Sequence, residues 1–229
     1  MTSAAVAQRM ALCCRQLAAR GLIAGRDGNL SVRLGRDRIL VTPSGLIKAL
    51  LTAADMVEVD LTGRRRRGRR NPTSELDLHL RILNRRRDVG AVVHAHPPTA
   101  TGFAVAGEEI PANLLPELIF LVGRAPIVPY GTPGTPELGD RVEPYLAGVG
   151  GRAAGGVGEG GYDALLLANH GAVTMGRTLD EAWIRMESLE HAARIVLAAR
   201  TVGRPRPLDT AAVERLEALR AQARRETDA

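Results

Sequence analysis

Aromatic residues are scarce in this chain, and their scarcity limits how its core can be built. Phe, Trp and Tyr make up 3% of the 229 residues, whereas hydrophobic residues make up 45%. The core must therefore consist mainly of Leu, Val, Ile and Ala. This apolar content is too high for a disordered chain, and the length suits one large α/β domain. Because no linker divides the apolar segments, we expect a single domain over residues 1–229, with a core at about 5–200 and a helical extension at 201–229.

Cysteines and long apolar runs are also lacking. The two cysteines, Cys13 and Cys14, are adjacent, and a disulfide between neighbouring residues would be strained. A disulfide framework is therefore not indicated, and a reducing compartment, the cytoplasm, is expected. No apolar run is long enough to span a bilayer, so we expect no membrane partner.

Motifs for nucleotide or nucleic-acid binding are absent as well. The chain has neither a Walker sequence nor a G-x-G-x-x-G fingerprint. Its net charge of +6 would suit an anionic partner, and much of the excess lies in residues 64–70, six of which are arginine. No aromatic residue interrupts these arginines to stack on bases, and such a run is more often a solvated loop. We therefore expect no nucleic-acid partner.

The chain does contain many short apolar segments with the periodicity of strands, set among helical segments. Strands are predicted at about 30–34, 38–41, 56–61, 91–94, 127–130, 163–168 and 172–175. Helices are predicted within the first 20 residues, from 73, at 99–106, from 116, and at 137–146, 178–200 and 209–225. Residues 148–161, rich in Gly and Ala, are predicted to form a flexible loop. Strands among helices in this irregular order favour α/β layers over a strict βαβ repeat.

Three histidines at the ends of apolar runs form a candidate metal site. His94 and His96 are two residues apart, a spacing that on a strand directs both imidazoles to one face. His170 ends a later apolar run. Catalytic zinc commonly takes three protein ligands and keeps one position open, which three histidines would provide. The alternative is that the pair lies on a solvated strand face and that His170 is a turn residue.

Three short segments, 28–31, 42–45 and 73–74, are rich in glycine or hydroxyl groups and lie at predicted strand or helix ends. Backbone N–H groups, hydroxyls and a helix N-terminus together hold phosphate well. Singly, each segment is equally an ordinary turn or helix cap.

Glu75 follows the third segment, in the predicted first turn of a helix. Beside a Lewis-acidic metal, its carboxylate could move protons to and from a substrate carbon. The alternative is a favourable interaction between the acid and the helix dipole. His79 and His191 are interpreted as packed or surface residues rather than ligands.

Taken together and in this order, the motifs resemble those of the class II aldolase/adducin family. The matching segments are GNLS at 28–31, TPSG at 42–45, TSE at 73–75, HAH at 94–96, PYGT at 129–132 and NHG at 169–171. The resemblance covers roughly residues 5–200. It implies an α/β fold in which a central, mostly antiparallel sheet is covered by helices. It also implies a homotetramer with active sites between subunits.

The resemblance also implies a set of site residues and a reaction. His94, His96 and His170 would hold zinc or another divalent ion. The positions that match the family's phosphate contacts are Asn29, Ser44, Gly45, Thr73 and Ser74. The substrate would be a ketose 1-phosphate, cleaved to or formed from dihydroxyacetone phosphate and an aldehyde through a zinc-stabilised enediolate.

Glu75 matches the acid/base of the family's aldolases, whereas its epimerases tend to have aspartate there. The alternatives within the family are a sugar-phosphate 4-epimerase, dehydratase or decarboxylase, and a non-catalytic, adducin-like interaction module. One departure affects the aldehyde end of the site. Where the family's aldolases have a catalytic tyrosine, this chain has Leu114 and Leu115. Glu117 and Tyr130 are the candidates to replace it.

Overall fold

The fold is centred on one β-sheet. The computed structural model describes residues 2–146 and 161–228, and within them eight strands form one sheet. The strands are β1 (Asn29–Arg33), β2 (Arg38–Val41), β3 (Val57–Asp60), β4 (Arg65–Arg67), β5 (Ala91–Ala95), β6 (Ile127–Val128), β7 (Ala164–Leu167) and β8 (Gly171–Gly176). Their order across the sheet is β4-β3-β2-β1-β5-β8-β7-β6. Only β6 and β7, among these described strands, pair in parallel, so the expected mostly antiparallel sheet is confirmed.

Helices cover both faces of this sheet. They are α1 (Ser3–Ala19), α2 (Leu76–Arg85), α3 (Pro98–Ala106), α4 (Pro116–Leu121), α5 (Pro136–Val142), α6 (Leu179–Val202) and α7 (Thr210–Asp228). Single 3-10 turns lie at Lys48–Leu50, Ala53–Asp55 and Glu143–Tyr145. The predicted α/β architecture is therefore confirmed. The loop expected at 148–161 lies outside the described residues except for Gly161.

The central strand β5 has apolar neighbours on both sides because alternate residues face opposite layers. Val93 packs in the cluster that includes residues of α1, α3 and α6, whereas Val92 packs in the cluster that includes residues of α2 and α5. Both side chains are fully buried. A strand that is covered on both faces has a continuous apolar sequence, and residues 91–93 form such a run.

The arginine-rich segment differs from the expected loop. Residues 65–67 form β4, an exposed edge strand paired with β3. Asp60 organises the turn between them, because one carboxylate oxygen accepts hydrogen bonds from the backbone N–H groups of Thr62 and Arg64. Its other oxygen forms a 2.7 Å ion pair with Arg66. A fixed turn and an ion pair thus hold a strand that composition alone did not predict.

The C-terminal helix α7 packs against α4 through a buried charge. The guanidinium of Arg220 forms a 2.9 Å ion pair with Asp163 and donates a hydrogen bond to the carbonyl of Val122. Gly123 leaves room for this side chain, since a Cβ there would lie 2.1 Å from Arg220 Nη1. Across the described segments, no helix combines the length and the hydropathy needed to cross a bilayer.

Candidate active site

The site is built around His94 at the end of β5. The strand is paired with β1 on one side and β8 on the other. His94 is fully buried, and its Nδ1–H donates a 2.9 Å hydrogen bond to the carbonyl of Ala172 on β8. Because Nδ1 carries the proton, the lone pair on Nε2 is available to a metal.

The other two predicted ligands lie beside His94. His96 follows β5, and its Nε2 is 3.2 Å from His94 Nε2. His170 lies in the turn between β7 and β8, and its ring centroid is 4.7 Å from that of His94. Gly171 permits this approach, because a Cβ there would lie 2.6 Å from both the Ala95 carbonyl oxygen and His96 Cδ2. One nitrogen of each histidine falls within 4.8 Å of the others, so the structure brings the predicted triad together.

Glu75 lies against this triad, although it immediately precedes α2 instead of lying in its first turn. Its Oε2 is 3.3 Å from His94 Nε2, and its Oε1 is 3.4 Å from His170 Nε2. In the described part of the chain, Glu75 Oε1 and His170 Nδ1 are buried with no hydrogen-bond partner. Buried polar atoms of this kind normally find a partner. A divalent ion fits this donor set, since three imidazole nitrogens and a nearby carboxylate are the ligands zinc prefers.

The electrostatics of the cluster pair an ionised Glu75 with His94: burial lowers the pKa of His94, but the charge and hydrogen bond of Glu75 outweigh burial and raise it above its usual value. Burial raises the pKa of Glu75, but the charge and hydrogen bond of His94, with Asn29 and His170, outweigh burial and hold it well below its usual range. Burial and the neighbouring His94 lower the pKa of His170 to about 4. At neutral pH, Glu75 is therefore ionised and His170 is neutral, the state in which an imidazole binds metal.

A chain of buried hydrogen bonds connects Ser31, through His79 and Asn29, to Glu75. Asn29 Nδ2 donates a 2.7 Å hydrogen bond to Glu75 Oε2, and His79 Nε2–H donates to Asn29 Oδ1. At the far end, Ser31 Oγ lies 2.7 Å from His79 Nδ1. Burial lowers the pKa of His79 to about 3, so the ring is neutral and its Nδ1 accepts from the serine hydroxyl.

Sequence reasoning missed this role of His79. The residue is packed, as predicted, but it is fully buried and serves the site through Asn29. Its position four residues after Glu75 was an available signal, because residues four apart on a helix lie on the same face.

The predicted phosphate segments line one open pocket with the carboxylate and two of the histidines. Backbone hydrogen bonds from Thr73 to Thr42 and from Ser44 to Asn71 hold two of these segments side by side. The pocket has a volume of about 430 Å³. The predicted residues that line it are Asn29, Ser44, Gly45, Thr73, Ser74, Glu75, His96 and His170. Arg26, Asp27, Lys48, Pro133 and Gly134, which the sequence did not single out, line it too.

Glu117 and Tyr130 lie elsewhere. Both are exposed, Glu117 in the first turn of α4 and Tyr130 just beyond β6. Of the residues that the structure describes, the pocket lining includes neither of them. Their roles as replacements for the family tyrosine stay predictions.

The sheet, the histidine triad and the adjoining carboxylate define a class II aldolase-like protein with a candidate divalent-metal site. The sequence bears out this class, because the family model described as "Class II Aldolase and Adducin N-terminal domain" matches residues 8–197. The chain belongs to the class II aldolase/adducin family.

Similar proteins with assigned activities are aldolases of phosphorylated sugars. An L-fuculose phosphate aldolase of Methanococcus maripaludis is 34% identical over 182 residues, 80% of this chain and 91% of that protein. A 5-methylthioribulose-1-phosphate/5-deoxyribulose-1-phosphate aldolase of Rhodospirillum rubrum is 43% identical over 170 residues, 73% of this chain and 69% of that protein. A solved L-fuculose 1-phosphate aldolase structure has a TM-score of 0.80 at 30% identity, covering 95% of this chain and 96% of the other.

Proposed function

We propose that this protein is a metal-dependent aldolase that cleaves or forms a carbon–carbon bond of a ketose 1-phosphate. The observation that carries the proposal is the position of Glu75, whose two carboxylate oxygens lie 3.3 Å and 3.4 Å from the Nε2 atoms of His94 and His170. An acid/base group directly beside a three-histidine cluster is the arrangement that removal and return of a proton at an activated carbon requires.

His94, His96 and His170 would hold the ion, for which we propose zinc. When bound, the ion supplies Lewis-acid stabilisation of negative charge that develops on the substrate oxygens, worth several kcal/mol. The buried hydrogen bond between His94 and the Ala172 carbonyl keeps the ligand nitrogen oriented. No lysine Schiff base is needed for this chemistry.

Glu75 would move the proton. Its Oε2 accepts the hydrogen bond of Asn29, whereas its Oε1 has no hydrogen-bond donor among the described residues. Oε1 is therefore the atom that we assign to proton transfer. In the cleavage direction the C3–C4 bond would break as the C4 hydroxyl loses its proton and C4 leaves as the aldehyde; the ionised carboxylate would take up that proton, directly or through water, and give it to C3. In the synthetic direction the same transfers run in reverse.

The substrate would bind with its phosphate group between the turn at Ser44 and Gly45 and the hydroxyls of Thr73 and Ser74. All four residues line the same pocket as His96, His170 and Glu75. The relatives described above are named for fuculose phosphate and for methylthioribulose and deoxyribulose 1-phosphates. Cleavage of a ketose 1-phosphate between C3 and C4 releases dihydroxyacetone phosphate, so we propose this compound and an aldehyde as the reaction partners.

We further propose a cytoplasmic homotetramer with active sites at subunit interfaces. Glu117 and Tyr130 are exposed and outside their own chain's pocket, which suits donors that serve a neighbouring subunit. Light scattering tests the assembly, and a monomer that retains full activity would overturn it.

The function is tested by incubating metal-loaded protein with dihydroxyacetone phosphate and a panel of aldehydes, with metal content measured in parallel. We expect condensation that chelator abolishes. The Glu75→Gln variant should lose turnover and keep its metal, and the exposed Glu214→Gln variant is the matched control. No condensation with any aldehyde by metal-loaded protein rejects the aldolase. Rearrangement of a ketose phosphate without aldehyde release would indicate an epimerase, and metal-free, inactive protein would indicate an interaction module.

A further inference from the structure

Lys48 differs from every other basic residue of the chain in residue type, and from the other cation of the active-site pocket in its burial. Of the 31 lysine and arginine residues in the chain, it is the one lysine. Its side chain is also the one cationic side chain, among the described residues, that lines the active-site pocket from a buried position. It is 3% exposed, whereas Arg26, the other cation in that lining, is exposed.

Two backbone carbonyls hold the ammonium group in place. Lys48 Nζ donates a 2.7 Å hydrogen bond to the carbonyl of Arg26 and a 3.3 Å hydrogen bond to that of Leu46. These carbonyls belong to two different loops, one that leads into β1 and one that follows β2. An ammonium group has three hydrogens, so these two bonds leave one hydrogen for another acceptor.

The charge of Lys48 lacks a neutralising partner. Within residues 2–146 and 161–228, no carboxylate forms an ion pair with it. Burial lowers its pKa, and the more distant Cys14, Asp27 and Glu75 oppose that shift only in part. Buried charges in proteins are normally paired, because leaving water costs free energy that neutral acceptors only partly restore. An anion in the pocket would complete the pair.

We propose that Lys48 binds the phosphate group of the substrate together with Ser44, Gly45, Thr73 and Ser74. This inference rests on the proposed function for the identity of the phosphate ester, but the anion site itself does not. A compact ammonium suits the position, because a planar guanidinium presents its donors in a fixed fork that does not match two carbonyls on separate loops. Lysine binds phosphate as a point charge, and its hydrogen bonds to an anion are among the stronger ones in proteins.

The single lysine makes a direct test possible. Full-length protein with its metal, labelled selectively with ¹⁵N- and ¹³C-lysine, should give a single side-chain ¹⁵N signal in NMR spectra, that of Lys48 Nζ. That signal should shift in a saturable way with inorganic phosphate and with dihydroxyacetone phosphate, and not with chloride at equal ionic strength. No shift beyond the chloride control overturns the proposal without requiring a variant to fold.

Substitutions of Lys48 then test whether this residue binds the anion or only lies near it. Lys48→Met keeps much of the side-chain volume and removes the charge, and we expect the Kd for inorganic phosphate to rise about tenfold or more. Lys48→Arg should recover part of the loss. Arg36→Met removes the same charge from an exposed position outside the pocket and should leave the Kd unchanged. An unchanged Kd in folded, metal-loaded Lys48→Met overturns the assignment.

The two proposals fail in different ways. A phosphate-dependent lysine shift in a protein that condenses no aldehyde would retain the anion site and reject the aldolase. Aldol activity together with a lysine signal that does not respond to phosphate would retain the aldolase and reject the anion site.

Discussion

The imidazole of His79 donates a hydrogen bond to the amide oxygen of Asn29, and this bond fixes the direction in which the Asn29 amide nitrogen points. With its oxygen held by His79, Asn29 presents an N–H group to Glu75 at 2.7 Å. The reverse orientation would place an amide oxygen against an ionised carboxylate, which accepts hydrogen bonds and donates none. His79 thus controls the group beside the proposed acid/base without reaching the pocket itself.

We expect the His79→Leu variant to turn over the substrate at least about tenfold more slowly, the scale at which residues that orient metal-site groups act. The substrate KM should change little, because the pocket lining is intact. His79→Gln should recover part of the rate, since its amide nitrogen can donate to Asn29. Steady-state kinetics and melting temperatures of both variants check this. Equal rates for Leu and Gln would contradict the orienting role.

Removal of a single ligand should empty the metal site. We expect the protein to purify with about one divalent ion per chain, and the His96→Ala and His170→Ala variants to contain a small fraction of that amount. His191→Ala is the matched control, because His191 is exposed on α6 and outside the triad. Elemental analysis of purified protein gives the stoichiometry, and full metal content in either ligand variant would contradict the three-histidine site.

Metal should also stabilise the folded chain. A ligand that binds the native state alone contributes about 2.7 kcal/mol at a free concentration one hundred times its Kd. Chelator should therefore lower the melting temperature of the wild-type protein, and the difference should vanish in His96→Ala. An equal effect of chelator on both proteins would show that the stabilising ion lies elsewhere.

Arg220 should hold the C-terminal helix to the rest of the domain. Replacing it by methionine removes the ion pair to Asp163 and the hydrogen bond to Val122, while Arg86 and Arg185 remain near that carboxylate. We expect a loss of about 1–3 kcal/mol, below that for an isolated buried pair. Arg215→Met, in an exposed position on the same helix, should have little effect. Denaturant unfolding and limited proteolysis of α7 provide the measurement.

The two cysteines should be inert in the native protein. Burial raises the pKa of Cys14 to about 12, and burial together with Cys14 raises that of Cys13 further. Thiolate is the reactive form of cysteine, and its fraction grows only as the pH approaches these pKa values. A thiol reagent at pH 8 should therefore react slowly with the folded protein. In denaturant, the same reagent should react readily with both thiols. Rapid reaction of either thiol at pH 8 without unfolding would contradict the described burial.

Local sequence patterns predicted the parts of the fold and site that depend on short stretches of chain. The apolar run before His94 predicted its strand, and the two-residue spacing predicted that His94 and His96 share a face. Their meeting with His170, however, depends on pairing between β5 and β8, which no local pattern contains. The motif order of the family supplied that link.

The remaining features depend on contacts that the sequence does not encode locally. Residues 65–67 became a strand because Asp60 fixes the preceding turn, and the polar composition of the segment gave no hint of it. Lysine is usually a surface residue, and nothing in the sequence around Lys48 indicates otherwise. Its burial follows only from the approach of the loops at Arg26 and Leu46.

The position of β5 gives the two ends of the pocket different local stabilities. The strand is hydrogen-bonded on both edges, so its amide hydrogens can exchange with solvent only when the ladders to β1 or β8 open. The proposed metal end of the site, at His94, should therefore be among the last parts of the protein to exchange with heavy water. The proposed phosphate end, at Ser44 and Lys48, is built from turns held by isolated hydrogen bonds, and it should open and close many times while His94 stays in place.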